Sequence, residues 1–223
     1  MRMVATFLVS SIAVGIVAAV RDDSSSYVDQ LISVAVPRYL RAYHPQGIPL
    51  EDFRFTVPRS EPGKPGMRAE FHNGKLTGLV ESPGLERLGF CSSSDTGDDA
   101  VSIRCYLTLD NLKVLYDGST KGDDINRVNK SISVEARFVR SNAYLEIVSE
   151  HAGSSPVLKT WTLMPPKLRL SYSRSLHLNV VKRRQNFDVQ IHLNIQEAVS
   201  AAFYGTLRDA LESVISTVPL PLV

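Results

Sequence analysis

Apolar residues in this chain change their spacing twice: every fourth position near the start, every second through the middle, and every fourth again near the end. Spacing of four puts side chains on one helix face, and spacing of two puts them on one face of a strand. The first stripe is Tyr27, Leu31, Ala35, Tyr39 and Tyr43, with Val28, Ile32 and Leu40 beside it. Ser24, Ser25 and Ser26 offer N-cap side chains. Pro37 lacks a backbone donor, which predicts a kink or restart inside the stripe. The second stripe is Val199, Phe203, Leu207, Leu211 and Ile215, flanked by Ala202, Ala210, Val214 and Val218. It predicts a helix over Gln196 to Thr217 that Pro219 and Pro221 end, with Asn194 and Glu197 resembling a capping box at its start.

Between the stripes, alternation recurs in short segments separated by turn residues, which reads as strands. Val101, Ile103, Cys105, Leu107 and Leu109 form one set, and Ile132, Val134, Ala136 and Phe138 another. Further strands are expected at Phe53 to Val57, Lys75 to Val80, Leu112 to Tyr116, Ala143 to Ser149, Val157 to Leu163, Leu168 to Tyr172 and Leu176 to Val181. A last strand, with Phe187, Val189, Ile191, Leu193 and Ile195, is expected to run straight into the second helix. Helix, about ten antiparallel strands, helix is the order of an α+β domain rather than of alternating βαβ units. Residues 20–223 are expected to form one domain, since the Pro- and Gly-rich stretch from Ser60 to Gly66 is too short to divide two.

The first nineteen residues read as a secretory signal peptide: Arg2, an apolar run from Val4 to Val17, then Ala18 and Ala19 as a cleavage site. Thr6, Ser10 and Ser11 interrupt that run, which falls short of the ~20 residues of a membrane span. The product is expected to be extracellular and not membrane-spanning. A formal net charge of +2 supports no nucleic-acid partner. The only two cysteines, Cys91 and Cys105, are expected to pair in an oxidising compartment, closing the Ser- and Asp-rich loop between them. Asn129-Lys130-Ser131 is a glycosylation sequon.

Enzyme motifs are missing: no G-x-S-x-G, H-E-x-x-H, P-loop or G-x-G-x-x-G occurs. His44, His72, His151, His177 and His192 lack ligand or triad spacing, although His177 and His192 would flank one hairpin. Asp95 to Asp99 and Asp123-Asp124 do not match an EF-hand loop and read as solvated turns. Lys182-Arg183-Arg184 reads as a hairpin tip, with weak contact to anionic surfaces as the alternative. No enzyme activity, cofactor or metal is expected.

The strings IPLEDFRFTVP and FHNGKLTGLVESPGLERLGFC, reaching Cys91, and the terminal AFYGTLRDALESVISTV are similar to mite group 7 allergens. Those belong to the tubular lipid-binding superfamily, with the takeout, juvenile-hormone-binding and bactericidal/permeability-increasing proteins. The resemblance implies a long curved antiparallel sheet wrapped around two long amphipathic helices in a super-roll, with an apolar groove. A secreted carrier or scavenger of a hydrophobic small molecule or lipid is then expected. The groove would be lined by Leu31, Ala35, Tyr39, Ile132, Val134, Phe138, Val199, Phe203, Leu207 and Leu211, with Tyr39, His177 or His192 to orient a polar head. Takeout-like proteins usually carry their disulfide near the N-terminus, whereas Cys91 and Cys105 would staple an internal strand pair. Two rivals stand beside this reading. A lipocalin would want Gly-x-Trp near its first strand, but the single tryptophan is Trp161. A secreted immune-modulating or interaction protein would have a filled interior.

Overall fold

The computed structural model describes residues 23–58, 66–95, 100–122, 128–151, 154–174, 181–218 and 220–221. The expected signal segment, His177 and the acidic stretch at 96–99 lie outside them. Helix α1 spans 23–43, and its middle, Leu31–Ala35, is a π-helical turn. Ten strands follow among the described residues: β1 Ile48–Leu50, β2 Phe53–Val57, β3 Met67–Thr77, β4 Glu86–Asp95, β5 Val101–Thr108, β6 Lys113–Lys121, β7 Asn129–Phe138, β8 Asn142–Ser149, β9 Val157–Leu163 and β10 Leu168–Tyr172. Helix α2 runs through Val181–Ala202, a second π turn at Phe203–Leu207, and Arg208–Ile215. At 1.5 Å per residue it is about 50 Å long.

A strict spacing of four overshoots the 3.6-residue turn by about 40° per step, so such a stripe winds around a regular α-helix. A π turn, bonded i to i+5, absorbs extra residues and swings the stripe back. In α1 the Val36 N–H donates to the Leu31 carbonyl, five residues back, so the kink expected at Pro37 is a widened turn just ahead of it. In α2, Arg183, Phe187, Ile191, Ile195, Val199, Phe203, Leu207, Leu211 and Ile215 are all buried at intervals of four.

The first sheet has the order β1-β3-β6-β7-β10, with β2 also paired to β3, and the second has the order β4-β5-β8-β9. All these pairings are antiparallel. The chain passes from one sheet to the other at four breaks, residues 78–85, 109–112, 139–141 and 164–167. Backbone bonds stitch three of the breaks side by side. Leu109 N–H donates to Ser141 O at 2.9 Å, Val139 N–H to Lys167 O at 2.9 Å and Met164 N–H to Asn142 O at 3.0 Å. The two sheets are therefore halves of one long antiparallel sheet bent along a seam, the α+β architecture expected. One hydrophobic cluster joins both halves to both helices.

Several local expectations fail. Residues 187–195 are helix, not strand: Phe187, Ile191 and Ile195 are buried while Val189 and Leu193 stand in solvent, which is spacing four within an apparent spacing of two. The expected strand Leu176 to Val181 lies mostly outside the described residues, and its last residue, Val181, opens α2. Gln196 is thus mid-helix, and Asn194, whose amide donates to the Gln190 carbonyl, is no cap. Lys182, Arg183 and Arg184 form the first turn of α2 rather than a hairpin tip. Ser24 and Ser25 lie inside α1 and are buried. Two strands escaped the sequence reading, β1 and β4, and β3 starts at Met67 rather than Lys75.

Candidate functional site

The concave side of the bent sheet carries the inward residues of every strand, and the two helices lie across it. Over the first sheet the interior is aromatic. Phe53 stacks on Phe71 at 5.0 Å and meets Tyr116 edge-on at 4.9 Å. Phe187 of α2 closes this cluster against Phe55 at 5.5 Å and Tyr172 at 5.7 Å. Gly74 fits beneath the Tyr116 ring, where any Cβ would collide with it. The Tyr116 hydroxyl donates to the Glu51 carbonyl at 2.7 Å, and that of Tyr172 to Asp188 Oδ1 at 2.6 Å. Burial, then the neighbouring carboxylates, push both hydroxyls above the usual tyrosine range. Arg184 pairs with Asp188 and lies over the Tyr172 ring, while the buried Arg183 donates to the Gly122 carbonyl at 2.9 Å. These bonds fix the start of α2 to the first sheet.

Over the second sheet the interior is mainly aliphatic: Ile103, Leu107, Leu145, Ile147 and Leu158 from the strands, and Leu31, Ile32, Leu207 and Leu211 from the helices. Here the second π turn docks on β9. Trp161 stacks on Phe203 with centroids 4.1 Å apart, and its indole N–H donates to the Phe203 carbonyl at 3.0 Å. The Tyr204 hydroxyl accepts the Leu163 N–H at 3.1 Å, satisfying a donor on the edge strand. The later part of α2 packs on α1 as well as on β9. The hydroxyl of Tyr27 in α1 donates to the Val218 carbonyl beyond α2 at 3.2 Å, and burial pushes that hydroxyl up to about 12.

Strand β4 forms the outer edge of this half. Residues 89–91 face Cys105 alone, since Leu88 pairs with Tyr106 and Ser92 with Arg104. The resulting bulge is braced by the Cys91–Cys105 disulfide, as expected from sequence. Ser25 Oγ accepts the Cys91 N–H at 3.2 Å, and Asp29 of α1 takes both ends of the Arg87 guanidinium, at 3.0 and 2.9 Å. Outside, on β8, Glu146 is nearly covered. Burial works against its charge, but bonds from Arg104 and Thr160, with Lys159 nearby, hold its carboxyl below the usual range.

The residues expected to line a groove are all part of one cluster. Leu31, Ile132, Val134, Phe138, Val199, Phe203, Leu207 and Leu211 are buried, and Ala35 and Tyr39 are partly buried against them. They divide between the halves: Ile132 and Val134 face the aromatic end, whereas Leu31, Phe203, Leu207 and Leu211 belong to the aliphatic one. Tyr39 sits at the rim, 4.8 Å from the exposed Tyr43. His192 is half-buried on α2. Asn129 is exposed at the start of β7. Sequence reasoning missed Phe187 and Trp161 as interior anchors. The spacing from Phe187 through Ile191 and Ile195 into Val199 was the signal for the first, and no pattern marks the second. No group of three or more metal-binding side chains occurs, and no helix is long and apolar enough to cross a membrane, among the described residues.

No family model matches the chain. It is 24% identical over 205 residues to a protein named "Salivary anticoagulant protein P23" from Ixodes scapularis, covering 90% of each chain. Its structure is similar to that of a lipopolysaccharide binding protein, with a TM-score of 0.49 and 16% identity. That likeness covers 88% of this chain but only 38% of the other. It is also similar to Takeout 1 of Epiphyas postvittana, with a TM-score of 0.35, 14% identity, and 84% and 86% of the two chains covered. Among the described residues the chain itself runs helix, ten strands in a sheet bent along one seam, and a long helix laid over the concave side.

Proposed function

We propose that the protein is a secreted carrier or scavenger that holds one hydrophobic molecule, of lipid or fatty-acid character, between its helix pair and the concave side of the second sheet. The observation that carries this reading is the nature of the closure there. The segment of α1 carrying Leu31 and Ile32 meets the segment of α2 carrying Leu211, all buried in one cluster with aliphatic strand residues, and Tyr27 to Val218 is the one bond between the two helical ends among the described contacts. An apolar closure with so few directional bonds can part and re-form around an apolar guest. Burial at ~25 cal/mol per Å² lets a tail giving up about 300 Å² gain ~7 kcal/mol before association costs, so affinity needs no special chemistry. Among the described residues the lining holds no nucleophile, base and oxyanion donor set, which favours a carrier over an enzyme.

The name of the tick relative favours a second reading, in which the surface acts on a host protein and the interior is simply filled. Native mass spectrometry of the protein secreted from a eukaryotic host separates the two. The carrier reading expects a co-purifying lipid that organic extraction removes and a fluorescent fatty acid replaces at one per chain. A bare polypeptide mass that takes up no probe overturns it.

A further inference from the structure

The outer face of the first sheet holds an arrangement that the fold itself does not need. Lys113, Arg137 and Arg169 stand directly opposite one another on β6, β7 and β10: Lys113 registers with Arg137, and Arg137 with Arg169. Their strand neighbours Val114, Ala136 and Phe138 are buried, and Leu168 and Leu170 are packed on the core, so all three cations point outward. Like charges directly across a sheet repel and cost stability. Arg140 and Lys167, both exposed, lie at the adjoining seam, where the Val139 N–H donates to the Lys167 carbonyl. Against these five cations stand Glu135, paired with Arg137; Asp110, which accepts the Ser141 N–H; the exposed Asp117 further along β6; and Glu86, which accepts the Asn111 amide at the seam. The concentration is local, since the whole chain carries a formal net charge of only +2.

Across the seam the same outer face changes character. Seven residues along from Lys113 is Tyr106, and seven along from Arg137 is Tyr144. Their rings lie 5.2 Å apart, and Leu88 registers beside Tyr106. Tyr106 and Leu88 are each 49% exposed. Strand rise puts the two rows within about 23 Å of each other. A row of cations beside a row of tyrosines and apolar side chains is the chemistry of a bilayer interface: cations meet anionic headgroups, and aromatic rings settle at headgroup level.

We propose that this face, across the seam, docks the protein on a bilayer containing anionic lipid. The cation row supplies attraction and the Leu88–Tyr106 row supplies shallow insertion. The proposal is independent of whether the interior carries a guest. Each cation near such a surface adds roughly fivefold to partitioning, so losing three should cost about a hundredfold.

Flotation with vesicles of phosphatidylcholine alone, and of phosphatidylcholine with phosphatidylserine, tests this on the full secreted protein. The expected result is binding only to the anionic vesicles, weakened as salt rises. Lys113→Gln, Arg137→Gln and Arg169→Gln together should lower it about a hundredfold. That triple variant should fold at least as stably as the parent, because facing like charges have been removed. Equal binding to both vesicle types, or an unchanged triple variant, overturns the proposal. Leu88→Ser with Tyr106→Ser decides the occupant: weaker vesicle binding with unchanged retention on a sulfated polysaccharide supports a bilayer. Unchanged vesicle binding by that variant, or a parent protein held by the polysaccharide and ignored by vesicles, overturns a bilayer in favour of a soluble polyanion.

Discussion

The two halves of the interior are closed by different means. Over the first sheet, six rings from Phe53, Phe55, Phe71, Tyr116, Tyr172 and Phe187 touch in sequence, and hydrogen bonds anchor the two hydroxyls at the margin. Rings pack with fixed geometry and few rotamers, so this half behaves as a plug. Over the second sheet the contacts are mostly aliphatic, the two helices meet there, the first π turn lies in the part of α1 that meets α2, and the second docks on Trp161 of β9. On the carrier reading, the contrast assigns rigidity to one end of the molecule and accommodation of a guest to the other.

Truncating the plug is the severest test. Phe187→Ala should cost ~3 to 5 kcal/mol in denaturant unfolding, because the surrounding rings cannot collapse into the space. Binding of a fluorescent fatty acid by the folded fraction should be unchanged. A small stability loss with altered probe binding would reverse the roles of the two halves.

Next comes the brace of β4. Replacing Cys91 and Cys105 by serine removes a closure of about 15 residues and should cost ~3 kcal/mol. Hydrogen exchange should then quicken first in β4 and β5, where the bulge lies, and leave β6 and β7 protected. Uniform loss of protection would mean that the two sheets unfold as one unit and that the seam does not separate them.

Why one half was legible in sequence and the other was not follows from two segments with the same pattern. Ile132, Val134, Ala136 and Phe138 alternate and are buried together in β7; Phe187 through Ile195 also alternate, yet only every second apolar residue is buried, in α2. Spacing four is contained in spacing two, so the pattern alone is ambiguous until the stripe is followed on to Val199 and Ile215. The buried stripe from Val199 to Ile215 was readable because its spacing of four is unbroken there. Strand β4 was hidden for the opposite reason: its bulge puts three residues against one, so Leu88, Phe90 and Cys91 break the alternation that identifies a strand. The Cys91–Cys105 pairing was accessible from count and compartment alone, whereas Trp161 on Phe203 is a tertiary contact that no local spacing encodes.

In the aliphatic half, Leu207→Ala separates a filled core from a space that admits a guest. In a tight core the cost is ~2 to 5 kcal/mol. The carrier reading expects a value at or below the bottom of that range, together with altered probe affinity, in urea unfolding and fluorescence titration on the same preparation. A full cost with unaltered probe binding favours the filled interior.

The smallest effect expected is at the latch between the helical ends. Tyr27→Phe removes one hydrogen bond, worth about 1 kcal/mol, and leaves the ring in place. The same latch gives a pH test with a definite sign. Burial raises the Tyr27 hydroxyl to about 12, whereas in the unfolded chain it titrates near 10. The folded state therefore favours the neutral form, and this contribution is complete below about pH 10 and lost as pH rises through the folded value. Between those limits the parent should lose stability more steeply than Tyr27→Phe, since Tyr116 and Tyr172 titrate alike in both proteins. If the helix pair opens through this latch, probe release should quicken over the same interval in the parent, while the variant releases quickly at every pH. Release rates that ignore both the substitution and the alkaline limb would place the guest's route away from the Tyr27–Val218 contact.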